Sequence, residues 1–425
     1  MRFFRFRRNH AQQVSCRGTT LCLGLDEIFA CRGFLLDSAR KDMKFFSIWS
    51  THMTVFMSTT TLMKGRVMTV SSVAMERFSA SSLQHFADAL LCQAGLSSEP
   101  AAVVAATLID GDLLGHDTHG LALLAPYVKE IEKGAMCVVG EPEVISDRPA
   151  ALVWDGRRLP GPWLVQQGIS ALIPRARSYG TASLAIHHSH HIACLAAYLL
   201  RATEQGFLML LSSSDPSVQS VAPFGGTRAV FTPNPIAAGI PTSGTPFLVD
   251  ISASVTTNGM SARLHKAGQQ FEQEWLLDGQ GNPSRDPAVL ASDPPGTILP
   301  LGGLSAGHKG FGLALLIEAL TAGLSGFGRA DPAVGWGATV FMSLYDPAAF
   351  GGEAAFTRQM DHIAELCRSN PPRPGGEQVR MPGDRGMARR AQQLEQGVCL
   401  HASVAPALRA LAQQYGLSFP TALVA

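Results

Sequence analysis

The chain has 425 residues, 46% of them apolar and only 16% charged, with a formal net charge of +1. That balance excludes a disordered chain and offers no global field for nucleic acid. No apolar run reaches the roughly 18 residues that span a bilayer. The eight cysteines form no C-x-x-C pair and read as reduced thiols of a cytoplasmic protein.

Residues 1–67 stand apart. They open Met-Arg-Phe-Phe-Arg-Phe-Arg-Arg, carry no acid before Asp26, and show no sustained helix or strand period. We read them as an extension, unstructured or not native, with the start at Met63, Met68 or Met75. A transit peptide is the alternative, since such peptides are Arg-rich and acid-poor.

Order is expected from about Val70. Ser81 or Ser82 caps a helix carrying Leu83, Phe86, Leu90 and Leu91, stopped by Gly95. Ser97 to Pro100 starts a second helix, running through Val104 and Leu108 to Gly115. The turn His116-Asp117-Thr118-His119-Gly120 leads to a third, through Leu124, Tyr127 and Ile131. Residues 68–143 therefore read as a helical N-terminal part. From 144 the pattern changes to strand-like runs at 151–154, 182–186, 207–211 and 246–251. Helices intervene at 163–176 and 193–205, which argues for a mixed α/β core over 144–350. Segments 279–303 and 370–386 read as loops. Helices at 311–324 and 406–415 follow, with 351–425 expected to pack back on the N-terminal helices.

The dinucleotide fingerprint G-x-G-x-x-G is missing, and so is a phosphate-binding G-x-x-x-x-G-K-[ST] loop, so a Rossmann or P-loop site is unsupported. His308-Lys309-Gly310 opens an apolar helix after a glycine-rich run; free N–H groups beside a lysine suit a phosphate, and a plain turn is the alternative. At the turn, Asp117 and Thr118 could orient His119 for proton transfer or merely cap a helix. The densest feature is His187-His188-Ser189-His190-His191. It reads as a general acid/base, as a polar loop under a helix, or as a metal site with His187 and His191 four apart. No carboxylate or cysteine stands at ligand spacing nearby in sequence, so no metal is expected. Asp250 to Ser254 and Asn258-Gly259-Met260 form turns able to hold phosphate or ribose, or to cap a helix.

These segments together resemble the type 2 malate/L-lactate dehydrogenase family, whose members include ureidoglycolate, sulfolactate and diketogulonate oxidoreductases and cyclic ketimine reductases. The resemblance runs from about Val70 to Leu417. It rests on Thr118-His119-Gly120, His188 to His191, Val221 to Gly226, Thr232 to Ala237, Asp250 to Ser254, His308 to Gly312 and Pro382-Gly383-Asp384, in that order. It implies a non-Rossmann NAD(P)-binding fold with a central mixed sheet and a helical N-/C-terminal subdomain, a homodimer, and NAD or NADP as cofactor. The implied activity is hydride transfer at C2 of a 2-hydroxy/2-oxo acid or related imine. His191 is the implied proton carrier, with His119, tuned by Thr118, as second choice or partner. Asp250, Ile251, Ser252, His308, Lys309, Gly310, Pro382, Gly383 and Asp384 match cofactor contacts; Tyr127, Asn258, Gly259 and Met260 lie on the substrate side. Two positions depart. Many members carry Arg four residues after the first histidine, where this chain has Leu123, and Lys or Asp where it has Met260. These losses open a second reading, a weakened homologue that binds cofactor without turnover.

Overall fold

The computed structural model describes residues 76–333 and 335–423. The extension 1–67 lies outside them. Strand β1 (Arg77–Phe78) leads into α1 (Ala80–Gln93), which is capped by Ser79, two residues earlier than the sequence suggests. Leu83, Phe86, Ala87, Leu90 and Leu91 form its buried face at helical spacing. Next comes α2 (Ser98–Leu114), ended by Gly115 in the left-handed conformation that glycine adopts without strain. The short α3 (Leu124–Glu132) completes a helical core. The C-terminal β12 (Val398–Cys399) pairs with β1, and α11 (Val404–Gln414) buries Leu408 and Leu411 in the same cluster as Leu83 and Tyr127.

A seven-stranded mixed sheet forms the second core. Its strands are β2 (Glu143–Arg148), β3 (Ala151–Asp155), β4 (Thr181–Ser189), β5 (Leu208–Ser214), β6 (Pro235–Ile240), β7 (Phe247–Ser252) and β11 (Ala338–Tyr345). They run in the order β2-β3-β4-β11-β5-β6-β7. Only the β3–β4 pair in this sheet is parallel. Its crossover is α4 (Gly161–Tyr179), packed on β4 and β11, while α5 (Ala196–Thr203) packs on β5 and β6. The helical start at 193 is corrected: the chain is not helical until Ala196.

A third, smaller cluster gathers around β8 (Leu276–Leu277), β9 (Pro283–Ser284) and β10 (Thr297–Ile298), so the segment read as the loop 279–303 contains two short strands. Beside it run α6 (Asn258–Lys266), α7 (Gly303–Ala306) and α8 (His308–Glu318), the last continuing as a π-helical turn over Ala319–Gly323. Two further helices, α9 (Glu353–Arg368) and α10 (Asp384–Gln396), lie in a stretch with no helix foreseen before 406.

The largest correction is β11, the central strand. Ala338 to Leu344 are all buried, so the run ATVFMSLY lacks the apolar/polar alternation that marks a one-sided strand.

Candidate active site

The first half of the site hangs from the end of α2. Asp112 Oδ2 accepts the Leu121 N–H at 2.7 Å and holds the turn after Gly115. Gly120 is required there, because a Cβ would lie 2.3 Å from the Asp112 carboxyl carbon. Burial lifts Asp112 to about 7. On the turn, Thr118 Oγ1 and His119 Nδ1 meet at 2.8 Å. Burial, reinforced by His116 and Arg263, pushes His119 down to about 4. From the other side α6 closes on the turn. Arg263 donates to Asp117 Oδ1 at 2.9 Å and to the Asp117 carbonyl at 3.1 Å. The Cβ position of Gly259 is 3.5 Å from Thr118 Cβ. Asn258, Gly259 and Met260 form the exposed first turn of α6, which Thr257 caps through Met260 N–H.

The second half follows β4. After Ser189 the chain bends over the start of α4, where Gly161 sits so close that a Cβ would fall 2.3 Å from the His190 carbonyl oxygen and 2.4 Å from that of His191. Tyr127, fully buried on α3, brings its hydroxyl to 2.9 Å from His191 Nδ1 and 3.0 Å from the His191 carbonyl. Ala193 N–H donates to the same Nδ1 at 3.2 Å. A backbone amide can only donate, so the Ala193 contact favours a bare Nδ1, whereas the Tyr127 hydroxyl can either donate to that nitrogen or accept from it. Burial, then the neighbouring His119 and His190, hold His191 well below the ordinary imidazole range. The His119 and His191 rings lie 5.9 Å apart and 29° from parallel, with Trp336 4.6 Å from His191. The structure thus brings together His119, Thr118, His191 and Tyr127, with Gly259 alongside.

The four clustered histidines part company. His190 is fully buried against Tyr127 and Trp336, and burial and Arg158 push it down to about 3. Glu130 Oε2 lies 3.7 Å from its Nε2, yet neither ring nitrogen has a hydrogen-bond partner among the described residues; at that distance desolvation prevails over attraction. His187 and His188 end β4 beside Asp155. His187 and His191 share no helix face, since no helix begins that early.

The expected cofactor residues fall into three places. Gly310 is buried, and a Cβ there would collide with Leu301 N at 2.3 Å and Ala253 O at 2.7 Å, so the start of α8 lies directly on the turn that follows β7. That contact sets the backbone just after the exposed His308 and Lys309 against Ala253, one residue beyond Ser252. An ammonium and an imidazole exposed at a helix start beside a close backbone approach fit the phosphates of a dinucleotide. Ile251 is exposed, whereas Asp250 turns inward: its Oδ2 accepts the Ala196 N–H at 2.9 Å, and burial raises its carboxyl against the pull of His116. Pro382 O accepts the Leu248 N–H, Gly383 (φ 96°) packs on the same strand, and Asp384 pairs with Arg368 at 3.0 Å.

Sequence reading missed three groups beside the pair: Trp336, Asp112 and Arg263. The Gly335-Trp336-Gly337 run is a usable signal for the first, an indole between two glycines. The other two are visible only through contacts. Leu123 packs half-buried on the helical core and brings no charge to the site.

A mixed sheet without a Rossmann fingerprint, joined to a helical core across a histidine pair, places this α/β fold outside the usual dinucleotide-binding architecture. A family model for malate/L-lactate dehydrogenase matches residues 78–409, and the chain belongs to that family. It is similar to a (2R)-3-sulfolactate dehydrogenase (NADP(+)) of Chromohalobacter salexigens, with 32% identity covering 71% of this chain and 88% of that protein. A Delta(1)-pyrroline-2-carboxylate reductase of Ancylobacter novellus is 30% identical, covering 76% of this chain and 93% of its own. The solved malate dehydrogenase of Pyrococcus horikoshii superposes with a TM-score of 0.74 at 26% identity, covering 81% of this chain and 97% of its own. The protein is thus an oxidoreductase. Among the described residues, no helix is long and apolar enough to cross a membrane.

Proposed function

We propose that the protein moves a hydride between NAD(P) and C2 of a 2-hydroxy/2-oxo acid or a related cyclic imine. The observation that carries this reading is the His119–His191 pair, with Tyr127 on the inner nitrogen of His191. When bound, the nicotinamide supplies or takes the hydride. The protein's own residues handle the proton. In reduction, doubly protonated His191 gives its Nε2 proton to the oxygen or nitrogen on C2 and is left as the Nδ1–H ring; in oxidation that Nδ1–H ring takes the proton back at Nε2. The Tyr127 hydroxyl serves both forms of the ring: it can donate to a bare Nδ1, or turn to the His191 carbonyl and accept from Nδ1–H. Thr118 orients the adjoining His119 ring. His308, Lys309 and Ser252 would hold the cofactor phosphates. The relatives named for sulfolactate and pyrroline-2-carboxylate support both the acid and the imine as substrate classes. Leu123 and Met260 favour a substrate less charged than malate. Exposed Leu315, Leu316 and Leu324, at 49%, 51% and 56%, support a homodimer closing over α8. NADH and NADPH oxidation across a panel of 2-oxo acids and cyclic imines tests the assignment. Turnover of at least one of them is expected; cofactor binding without turnover of any would favour the weakened homologue.

The depressed histidines also fix a pH signature. With folded values well below 6.5, the free protein holds the ring neutral at working pH, and the protonated fraction drops tenfold per pH unit. Reduction uses the protonated ring, so its kcat/KM is expected to rise about tenfold per unit as pH falls from 8 to 5.5. Oxidation uses the neutral ring, so its kcat/KM stays flat over that range. An inflection near 6.5 in the oxidation profile would contradict the buried assignment.

A further inference from the structure

His187 and His188 are not used by the hydride chemistry, and their surroundings are specific. Adjacent residues on a strand normally point to opposite faces. Here His188 takes a positive φ of 49°, and both imidazoles come to one side. There Nδ1 of His187 and Nδ1 of His188 lie 2.9 Å apart. Asp155, in register with His187 on parallel β3, sets its Oδ2 3.0 Å from His188 Nδ1 and 3.8 Å from His187 Nδ1. Its other oxygen accepts the Arg157 N–H at 2.7 Å, which fixes the direction of Oδ2. Phe327 lies 4.1 Å from the His188 ring and 6.0 Å from that of His187.

Protons alone satisfy this triangle poorly. Seen from His188 Nδ1, the two partners stand nearly at a right angle, so a single N–H cannot point at both. A cation in the middle satisfies all three lone pairs. A tetrahedral zinc with bonds of 2.0–2.1 Å separates its ligand atoms by about 3.3 Å, and the three distances bracket that value. Two imidazoles with one carboxylate also suit a first-row divalent ion rather than calcium or magnesium. The half-exposed His188 leaves solvent access for a fourth, water ligand.

We propose that Asp155, His187 and His188 form a divalent transition-metal site, separate from the His119–His191 pair. The bound ion clamps the ends of β3 and β4, three residues before His191. The ligand missing from the local sequence comes from 32 positions upstream through strand pairing.

The test uses the purified full-length protein, stripped with chelator, and the metal alone. Zn²⁺ titrated against a chromogenic indicator is expected to bind one equivalent with micromolar or tighter affinity. Co²⁺ should give the visible absorption of a tetrahedral site, without the near-ultraviolet band of a cobalt–thiolate bond. Asp155→Asn, His187→Gln and His188→Asn should each weaken binding by more than about 100-fold, beyond the loss of an outer-shell partner. Asn tolerates the positive φ at 188, so that variant keeps the backbone. Cys194→Ala probes His116, Cys194 and Asp250, a second group of ligand-type atoms, and should change nothing. Failure of the wild-type protein to bind would overturn the proposal. So would a thiolate band, or binding lost in Cys194→Ala but kept in Asp155→Asn. Hydride-transfer assays read the His119–His191 assignment separately, so the two can fail independently.

Discussion

His191→Ala is expected to lower kcat by at least about 100-fold in both directions, the usual contribution of a positioned general acid/base. The proposed cofactor contacts, at 308–310 and 382–384, are other residues, so the dissociation constant for NAD(P)H should change little. The size of the loss follows from how the ring is held. Two groups hold Nδ1, Ala193 N–H at 3.2 Å and the Tyr127 hydroxyl at 2.9 Å, and the ring packs against Trp336 and His119. Alanine removes the proton and the oriented surface together, and no nearby group can reproduce the Nε2 geometry. Tyr127→Phe keeps the ring and loses only its inner partner, so its kcat should fall between those of the wild type and His191→Ala. Steady-state kinetics at pH 7 on whichever acid or imine proves best turned over reads both. Near wild-type turnover of His191→Ala would move the proton to His119.

Gly161→Ala adds one methyl group and is expected to cost stability and activity together. Its Cβ would land 2.3 and 2.4 Å from two backbone oxygens and 2.7 Å from the His191 carbonyl carbon. A flexible side chain could swing away; a backbone cannot. Either α4 shifts along the sheet or the His190–His191 segment moves, and overpacking of this kind costs about 1–3 kcal/mol or more. Thermal unfolding should show a clear fall in Tm. Because His191 itself is displaced, kcat should fall at least tenfold even at temperatures where the variant remains folded, since small misplacements at a reacting centre are expensive. A variant with lowered Tm and unchanged kcat would mean that α4 absorbs the whole shift.

Much of the fold was legible, for reasons that differ by element. Helices α1 and α2 carry clear caps, apolar stripes and terminal glycines, and each lies within a few residues of its expected place. β11 was not legible because a strand buried along its length has no period to read. α10 escaped for another reason: DRGMARRAQQLEQ buries only Gln393, so it offers almost no apolar stripe. In the site, His119 and His191 stand out by residue type, and the structure brings them together from 72 positions apart. Asp112 and Arg263 could not be found that way, since one acts beneath a turn and the other from a separate helix. The triangle of Asp155, His187 and His188 was hidden by the 32 positions between Asp155 and His187, which strand pairing removes.

The two histidines are carried by different hydrophobic cores, His119 by the helical cluster and His191 by the end of a sheet strand. The two positions proposed to set charge toward the substrate, Leu123 and Met260, occupy a helix approach and an exposed first turn. Such a layout separates what must be inherited from what can drift. On the proposed function, exchanging those side chains would re-tune the reactant without repacking either core, so selection could test new acids or imines on an unchanged proton-and-hydride engine.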